Sequence, residues 1–194
     1  MKKVAVLIAT NYTRFLDKCL ESVKGQADIY ILFHNIAIPA ELTGTALNIY
    51  PFNLAEGTIS VARNALLDRA VYGNYEYVQF LDSDDEIKPD YLNSVLKEAD
   101  ENPEFGLYYT DYSVYNDTFN FTYDVYCSNY KLSMIKNPLI RLSVLGKNKF
   151  DPKATKEEYN AIYSAIGIKN IYHIPKNLQL VREHAKMHSI TKKA

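Results

Sequence analysis

Hydrophobic positions in the first hundred residues alternate between two textures. Val4-Ala-Val-Leu-Ile-Ala9 is a continuous apolar run with β-branched members, which suits a strand covered on both faces of a parallel sheet. The polar turn Thr10-Asn11-Tyr12-Thr13 follows. Phe15, Leu16, Cys19, Leu20 and Val23 then recur at helical spacing, predicting a helix over 14–24 that Gly25 ends. Ile29 to Phe33 predicts a second buried strand, and Leu47 to Tyr50 a weaker third. A second helix opens at Gly57-Thr58-Ile59-Ser60, with Thr58 or Ser60 as its cap. Its stripe is Val61, Ala62, Ala65, Leu66, Arg69 and Ala70, and Gly73-Asn74 close it. Glu76 to Leu81 predicts a strand that runs straight into Asp82-Ser83-Asp84-Asp85. Pro89 suits the first turn of a third helix reaching about Glu101, with Tyr91, Leu92, Val95, Leu96 and Ala99 facing inward.

Strands alternating with helices predict an α/β architecture with a mainly parallel central sheet flanked by helices. After Phe105 the texture changes. Leu107 to Tyr115 and Phe119 to Tyr126 are aromatic and β-rich, with Asn116-Asp117 as a hairpin turn. Lys156 to Ile166 predicts a further helix, and Val181 to Ala194 reads as a polar, basic tail. No repeat, low-complexity linker or clear boundary divides the chain. The expectation is one domain over 1–194, with halves 1–105 and 106–194, the second smaller and richer in strands.

The chain has 194 residues, 47% of them hydrophobic and 23% charged, the balance of a folded globular protein. No apolar run reaches the ~18 residues that cross a bilayer. The stretch after Met1-Lys2-Lys3 is too short for a signal sequence, so a cytoplasmic location is expected. A net charge of -1 argues against a general nucleic-acid binder without excluding one. Two cysteines, Cys19 and Cys127, provide neither a disulfide framework nor a cysteine-based zinc site. Tyrosine is the unusual count: 17, with no tryptophan. Tyr108, Tyr109, Tyr112, Tyr115, Tyr123, Tyr126 and Tyr130 crowd the second half. An apolar ring with a polar tip suits a half-buried sheet, and it also suits a carbohydrate or protein surface.

Ligands of open α/β sheets bind beyond the carboxyl ends of the strands. Asp82, Ser83, Asp84 and Asp85 stand at such an end. Carboxylates crowded on a short turn repel one another unless a cation or a set of donors compensates. Oxygen ligands on a turn suit Mg²⁺ or Mn²⁺, with substrate phosphates and water completing the shell. An acidic, solvated turn ahead of a helix is the plainer alternative. An EF-hand is excluded, because its sixth and twelfth positions hold Ile87 and Asn93. A Walker loop and a Rossmann glycine fingerprint are both absent. Asp82-Ser83-Asp84 also resembles the Asp-x-Asp of haloacid-dehalogenase-type phosphatases, but Glu86 replaces the expected Thr or Val.

Three segments in order resemble family 2 glycosyltransferases of the GT-A fold, the nucleotide-diphospho-sugar transferase superfamily. Val4 to Val23 is similar to the family's opening strand, turn and helix. Ala62-Arg63-Asn64 is similar to its Ala-Arg-Asn. Phe80-Leu-Asp-Ser-Asp-Asp85, followed by Ile87, Pro89, Asp90, Tyr91 and Leu92, resembles its DXD block and the helix after it. The likeness covers roughly residues 3 to 110 and is thin beyond. Two later segments match more loosely. Phe150-Asp151, then Lys156-Glu157-Glu158-Tyr159-Asn160, resembles Phe-Asp followed by Glu-Asp-Tyr-Asp. Val181-Arg182-Glu183-His184, with His188-Ser189, is similar to a late Tyr-Arg-x-His-x-x-Ser segment.

The resemblance implies a metal-dependent, inverting transfer of a sugar from a nucleotide diphosphate donor, by default a UDP-sugar, to an acceptor hydroxyl. By position it makes residues 1–105 the donor half and 106–194 the acceptor half. It implies Mn²⁺ or Mg²⁺ on Asp84, with Asp82 on the ribose or a metal-bound water and His184 on the metal or the diphosphate. Thr10, Asn11, Arg63 and Ser83 are expected to line the donor site, and Asp85 to orient the sugar or cap the next helix. Glu158, with Glu157 beside it, is the expected catalytic base. The family's acid at the end of the second strand is missing, since Phe33-His34-Asn35-Ile36-Ala37-Ile38 stands there. Asn35 is left to meet a base edge. Glycan, lipid-linked, protein and other hydroxyl acceptors all fit, and self-association is open. A catalytically silent nucleotide-sugar or glycan binding module is the alternative from another class.

Overall fold

The computed structural model describes residues 3–42, 49–54, 58–127, 132–146, 148–153 and 159–183. Leu47, Gly57, Tyr130, Glu157, Glu158, His184 and the 184–194 tail lie outside these described residues. Among the described residues, nine strands form one sheet in the order β3-β2-β1-β4-β8-β6-β9-β5, with β7 added to β6. The strands are β1 (Val4–Thr10), β2 (Asp28–His34), β3 (Ile49–Leu54), β4 (Tyr77–Phe80), β5 (Glu86–Ile87), β6 (Leu107–Asn116), β7 (Phe121–Val125), β8 (Leu139–Arg141) and β9 (Ile171–Glu183). The helices are α1 (Leu16–Val23), α2 (Ile59–Tyr72), α3 (Tyr91–Glu101), α4 (Leu142–Leu145) and α5 (Tyr159–Ile166).

The fold is α/β with a mixed sheet flanked by helices. The N-terminal half supplies the parallel part, with β1 between β2 and β4 and β3 outside β2. Alternate residues of β1 feed two cores. Ala5 and Leu7 pack with α2 and α5 on one face; Val4, Val6 and Ile8 pack with α1 and α3 on the other. This double burial is why β1 reads as an unbroken apolar run. Pro51 is tolerated in β3 because that strand is an edge.

Thr58 caps α2, its hydroxyl accepting from Val61 N at 3.4 Å. The buried face of α2 is Ser60, Ala62, Arg63, Leu66, Leu67 and Ala70. The expected stripe is thus rotated, with Arg63 inside and Arg69 exposed. An ion pair described below holds Arg63 inside. α3 begins two residues after Pro89, where Tyr91 N donates to Lys88 O.

The sheet turns antiparallel through β8, which joins β4 to β6. Because β8 opposes both, β4 and β6 point the same way. β8 pairs with Leu107 and Tyr108, and β7 with Tyr112 to Asn116. β9 runs along the other edge of β6. So β7 occupies, toward the carboxyl end, the lane that faces β4. The hairpin is present, but its turn falls over 117–120 rather than at Asn116-Asp117, and β7 starts at Phe121 rather than Phe119; Asn116 Oδ1 accepts from Thr118 N and Phe119 N. Gly106 lets α4 close on β6, because a Cβ there would lie 2.5 Å from Val144.

Strand β9 replaces part of the expected polar tail. Its register against β6 skips from Ile174 to Asn177, so Pro175 and Lys176 sit outside the ladder as a bulge. That interruption hides the strand from a period-two reading. β5 and β8 are too short to carry a periodic signal.

Candidate active site

The carboxyl ends of β1, β2, β4 and β6 share one edge of the sheet. Thr10 closes β1, is 2% exposed, and its hydroxyl is hydrogen-bonded to Tyr12 O at 2.6 Å and Ser83 Oγ at 2.9 Å. This bond ties the turn after β1 to the acidic turn after β4. Asn11 is half-buried beside it. Asn35 stands exposed past β2 in the left-handed region, φ 60°, which Asn tolerates better than most residues.

The acidic turn is held by its backbone. Asp82 N donates to Asn137 Oδ1 at 3.0 Å, and Asp85 N donates to Asp82 O at 3.0 Å. The Asp82 side chain is 42% exposed, and its Oδ1 accepts from the Arg63 guanidinium at 2.8 Å. Arg63 itself is only 8% exposed and lies over the Tyr159 ring, 4.4 Å from its centroid. The structure therefore sets Arg63 behind Asp82, where it neutralises and aims that carboxylate.

Asp85 departs from its expected place. It is 2% exposed, and its two oxygens accept from Asn137 Nδ2 at 2.8 Å and Arg182 N at 2.9 Å. It does not cap α3, whose cap position is Asp90. Burial, then the charges of Asp84 and Asp82, push the Asp85 carboxyl well above the usual range, against the pull of its two donors. Burial and the same acids push the Cys19 thiol up as well. The turn is thus a concentration of negative charge. Asp82 and Asp84 are half-buried on it; Asp85 is locked beneath.

Sequence reasoning misses Asn137. It is buried, with φ 40°. Its side chain reaches Asp82 N, Asp85 Oδ2 and Gln179 Oε1, and its carbonyl accepts from Gln79 and from Tyr91 Oη. Its one local signal is the following Pro138, which marks a turn but no chemistry. Arg182 lies in a segment singled out for His184, yet its role is its own. It donates to Asp84 O at 3.2 Å and Glu86 Oε1 at 2.6 Å, wedged between the rings of Phe15 and Tyr115. His34 is 4% exposed at the end of β2 with neither ring nitrogen hydrogen-bonded. Burial, then the charge of Arg63, lower its pKa, which favours the neutral ring.

Among the described residues, no group of three or more His, Cys, Asp or Glu gathers as a metal centre. His184, Glu157 and Glu158 fall outside those residues. Among the described residues no helix is long and apolar enough to cross a membrane.

Residues 43–157 match the family model described as Glycosyl transferase family 2. No curated protein matches the chain. Among solved structures, S. aureus TarS 1-349 in complex with UDP-GlcNAc aligns at TM-score 0.75 and 17% identity, over 99% of this chain and 62% of that one. The same TarS fragment in complex with UDP aligns at 0.74 and 17%, over 97% and 63%. S. aureus TarS as a longer chain aligns at 0.73 and 17%, over 97% of this chain but 38% of its own length. This chain therefore spans less than two thirds of the structures it resembles, and at that identity the likeness speaks to the fold.

Proposed function

We propose that this chain, which belongs to glycosyl transferase family 2, moves a sugar from a nucleotide diphosphate donor to an acceptor hydroxyl with inversion at the anomeric carbon. The observation that carries the reading is the half-buried acidic turn, braced from below and opening at the carboxyl edge of the parallel strands. The UDP and UDP-GlcNAc held by the TarS structures support a UDP-sugar as donor. The match to the family model leaves the phosphatase alternative without support.

Asp82 and Asp84 fit Mg²⁺ or Mn²⁺. Both are oxygen ligands on one turn, both remain half-buried rather than enclosed, and their charges add to burial in pushing up the Asp85 carboxyl and the Cys19 thiol. An ion of this kind keeps few protein ligands and shares the rest of its shell with phosphate oxygens and water. Asp84 is the proposed direct ligand, by its place in the turn that resembles the family's DXD block, while Arg63 pairs with an oxygen of Asp82. Asp82 then faces the ribose or a bound water. When bound, the ion would offset the charge that develops on the departing diphosphate.

The other roles fall to the chain's own residues. Asn11 and Ser83 line the nucleotide side; Thr10, expected there, is instead buried behind them and ties the two turns together. Asn35 offers both a donor and an acceptor to a base edge. Glu158 takes the proton of the attacking hydroxyl, with Glu157 its neighbour; the residue after it, Tyr159, lies against Arg63. Arg63 acts through Asp82, and Asp85 through the backbone of the turn.

A ligand that binds only the folded state raises its apparent stability. UDP-sugars with Mn²⁺ are therefore expected to raise the melting temperature, and Asp84→Ala to abolish the Mn²⁺-dependent part of that rise while leaving the unliganded melting temperature within a few degrees. An Asp84→Ala protein with undiminished metal-dependent turnover would overturn the assignment.

A further inference from the structure

A cavity of about 330 Å³ opens between the outer strands and the far end of α2, lined by Tyr30, Tyr50, Phe52, Arg69, Tyr72 and Gly73. It is not part of the donor corner. Tyr30 lies toward the amino end of β2 and Tyr72 is the last residue of α2, whereas the acidic turn stands at the carboxyl ends of the strands. Arg69 is about 9 Å farther along the helix axis than Arg63. The rings are placed by strand pairing. Tyr30 lies opposite Tyr50 in the parallel ladder, so both project to one face, where they stack at 4.8 Å. Phe52 shares that face by strand alternation, and α2 sets the Arg69 guanidinium 5.4 Å from its centroid. Tyr50 is 45% and Tyr72 92% exposed. Tyr30 is anchored, its hydroxyl meeting that of Tyr75 at 3.2 Å while Tyr75 donates to Asp28.

Among the described residues that line the cavity, Arg69 alone is charged, and among the described residues no carboxylate pairs with it. Its neighbour Asp68 is turned to Lys149 at 2.7 Å, and Asp28 is taken by Tyr75. A guanidinium on an aromatic wall, with no acid of its own, selects an anion. The rings select something flat and apolar. The volume is that of a small ligand rather than of a macromolecular interface. Pro51 also denies one backbone donor to any strand that would add to the β3 edge.

We infer that this cavity binds a small planar ring carrying an anionic group, with the ring against Tyr50 and Tyr72 and the carboxylate or phosphate on Arg69. The site is separate from the donor corner and does not depend on the glycosyl-transfer reading. Two sources share that chemistry, nucleotides and aromatic acids.

The test is a titration of the full chain, isotope-labelled at its tyrosines, with AMP and with indole-3-acetate, followed by NMR. The signals of Tyr30, Tyr50 and Tyr72 are expected to move with at least one of the two, and which one names the source. Adenosine and indole-3-ethanol, the same rings without the charge, should bind about tenfold more weakly. Arg69→Gln should erase that difference and Arg69→Lys restore part of it. The melting temperature should stay within a few degrees in both, because Arg69 is exposed. Tyrosines unmoved by both acids, no preference for the charged form, or a preference that survives in Arg69→Gln would each overturn the inference. So would binding lost in Asp84→Ala, which would put the ligand in the donor corner. Sedimentation that finds dimers dispersed by Tyr72→Ala would make the cavity an interface between copies and overturn it as well. A UDP-sugar experiment that fails leaves this site untouched.

Discussion

Glu158→Gln is expected to lower sugar transfer by about 10²–10⁴-fold, the usual contribution of a positioned general base, with donor affinity unchanged. Gln keeps the size and one acceptor oxygen of Glu but cannot take a proton at neutral pH. The loss should therefore appear in kcat, with the UDP-sugar Kd unmoved. Calorimetric titration of the donor beside a radiolabelled transfer assay separates the two. Glu157→Gln is the control: a loss of similar size there, with Glu158→Gln active, would move the base by one residue. Asp82→Asn should behave differently from both. It weakens the pairing with Arg63, and it is expected to reduce donor binding as well as turnover.

Asn137→Ala is expected to destabilise the fold by about 3–5 kcal/mol, the range for stripping a partner from a buried charge. That is a large share of the roughly 5–15 kcal/mol that holds a typical domain together. Three side-chain hydrogen bonds are lost, to Asp82 N, Asp85 and Gln179, and Ala must take a positive φ that disfavours a Cβ. The effect has a pH signature. Asn137 is one of two donors that hold the Asp85 pKa down, so its removal raises that pKa further. Well below about pH 4, the ordinary Asp pKa, Asp85 is protonated in both folded and unfolded states, and the penalty is smallest. It grows as pH rises through the raised folded value, because ionisation then costs more in the folded protein than in the unfolded chain. Asn137→Asp provides the second reading. It retains the acceptor for Asp82 N but sets a carboxylate against Asp85, so its loss should exceed that of Asn137→Ala at neutral pH and shrink in acid. Urea unfolding at several pH values measures both.

The N-terminal half was legible because its elements are long and periodic. β1, α1 and β2 each hold one texture long enough to be recognised from residues alone; α2 is recognised as a helix though its buried stripe is rotated, and β4, only four residues long, is marked by the charge that follows it. The acidic turn stood out for a related reason: it breaks an apolar strand with charge. The later half yields less, and the causes are local. β9 carries Pro175 in its middle, and the bulge that absorbs it breaks the alternation on either side. β8 has three residues, below the length at which alternation exists. The site shows the same division. Asp82 and Asp84 were visible as chemistry, but the residues that hold them in place were not. Asn137 and Arg182 act through backbone groups of the turn, and such contacts between distant segments leave no spacing to read. In sequence Asp85 belongs with its neighbours to one acidic run, although its place on the turn sends it inward.

The brace beneath the acidic turn has a consequence for when the site comes into being. Asp82 leans on a residue 55 positions further along the chain, and Asp85 on one 97 positions further. Contacts so far apart in sequence form late, after the loop between them has been closed at an entropic cost. A growing polypeptide can thus complete its parallel strands while the acidic turn is still slack, and the turn is braced only with the docking of β9. In the folded protein the same wiring runs in reverse: fraying of that strand would loosen the acidic turn before the parallel strands had opened.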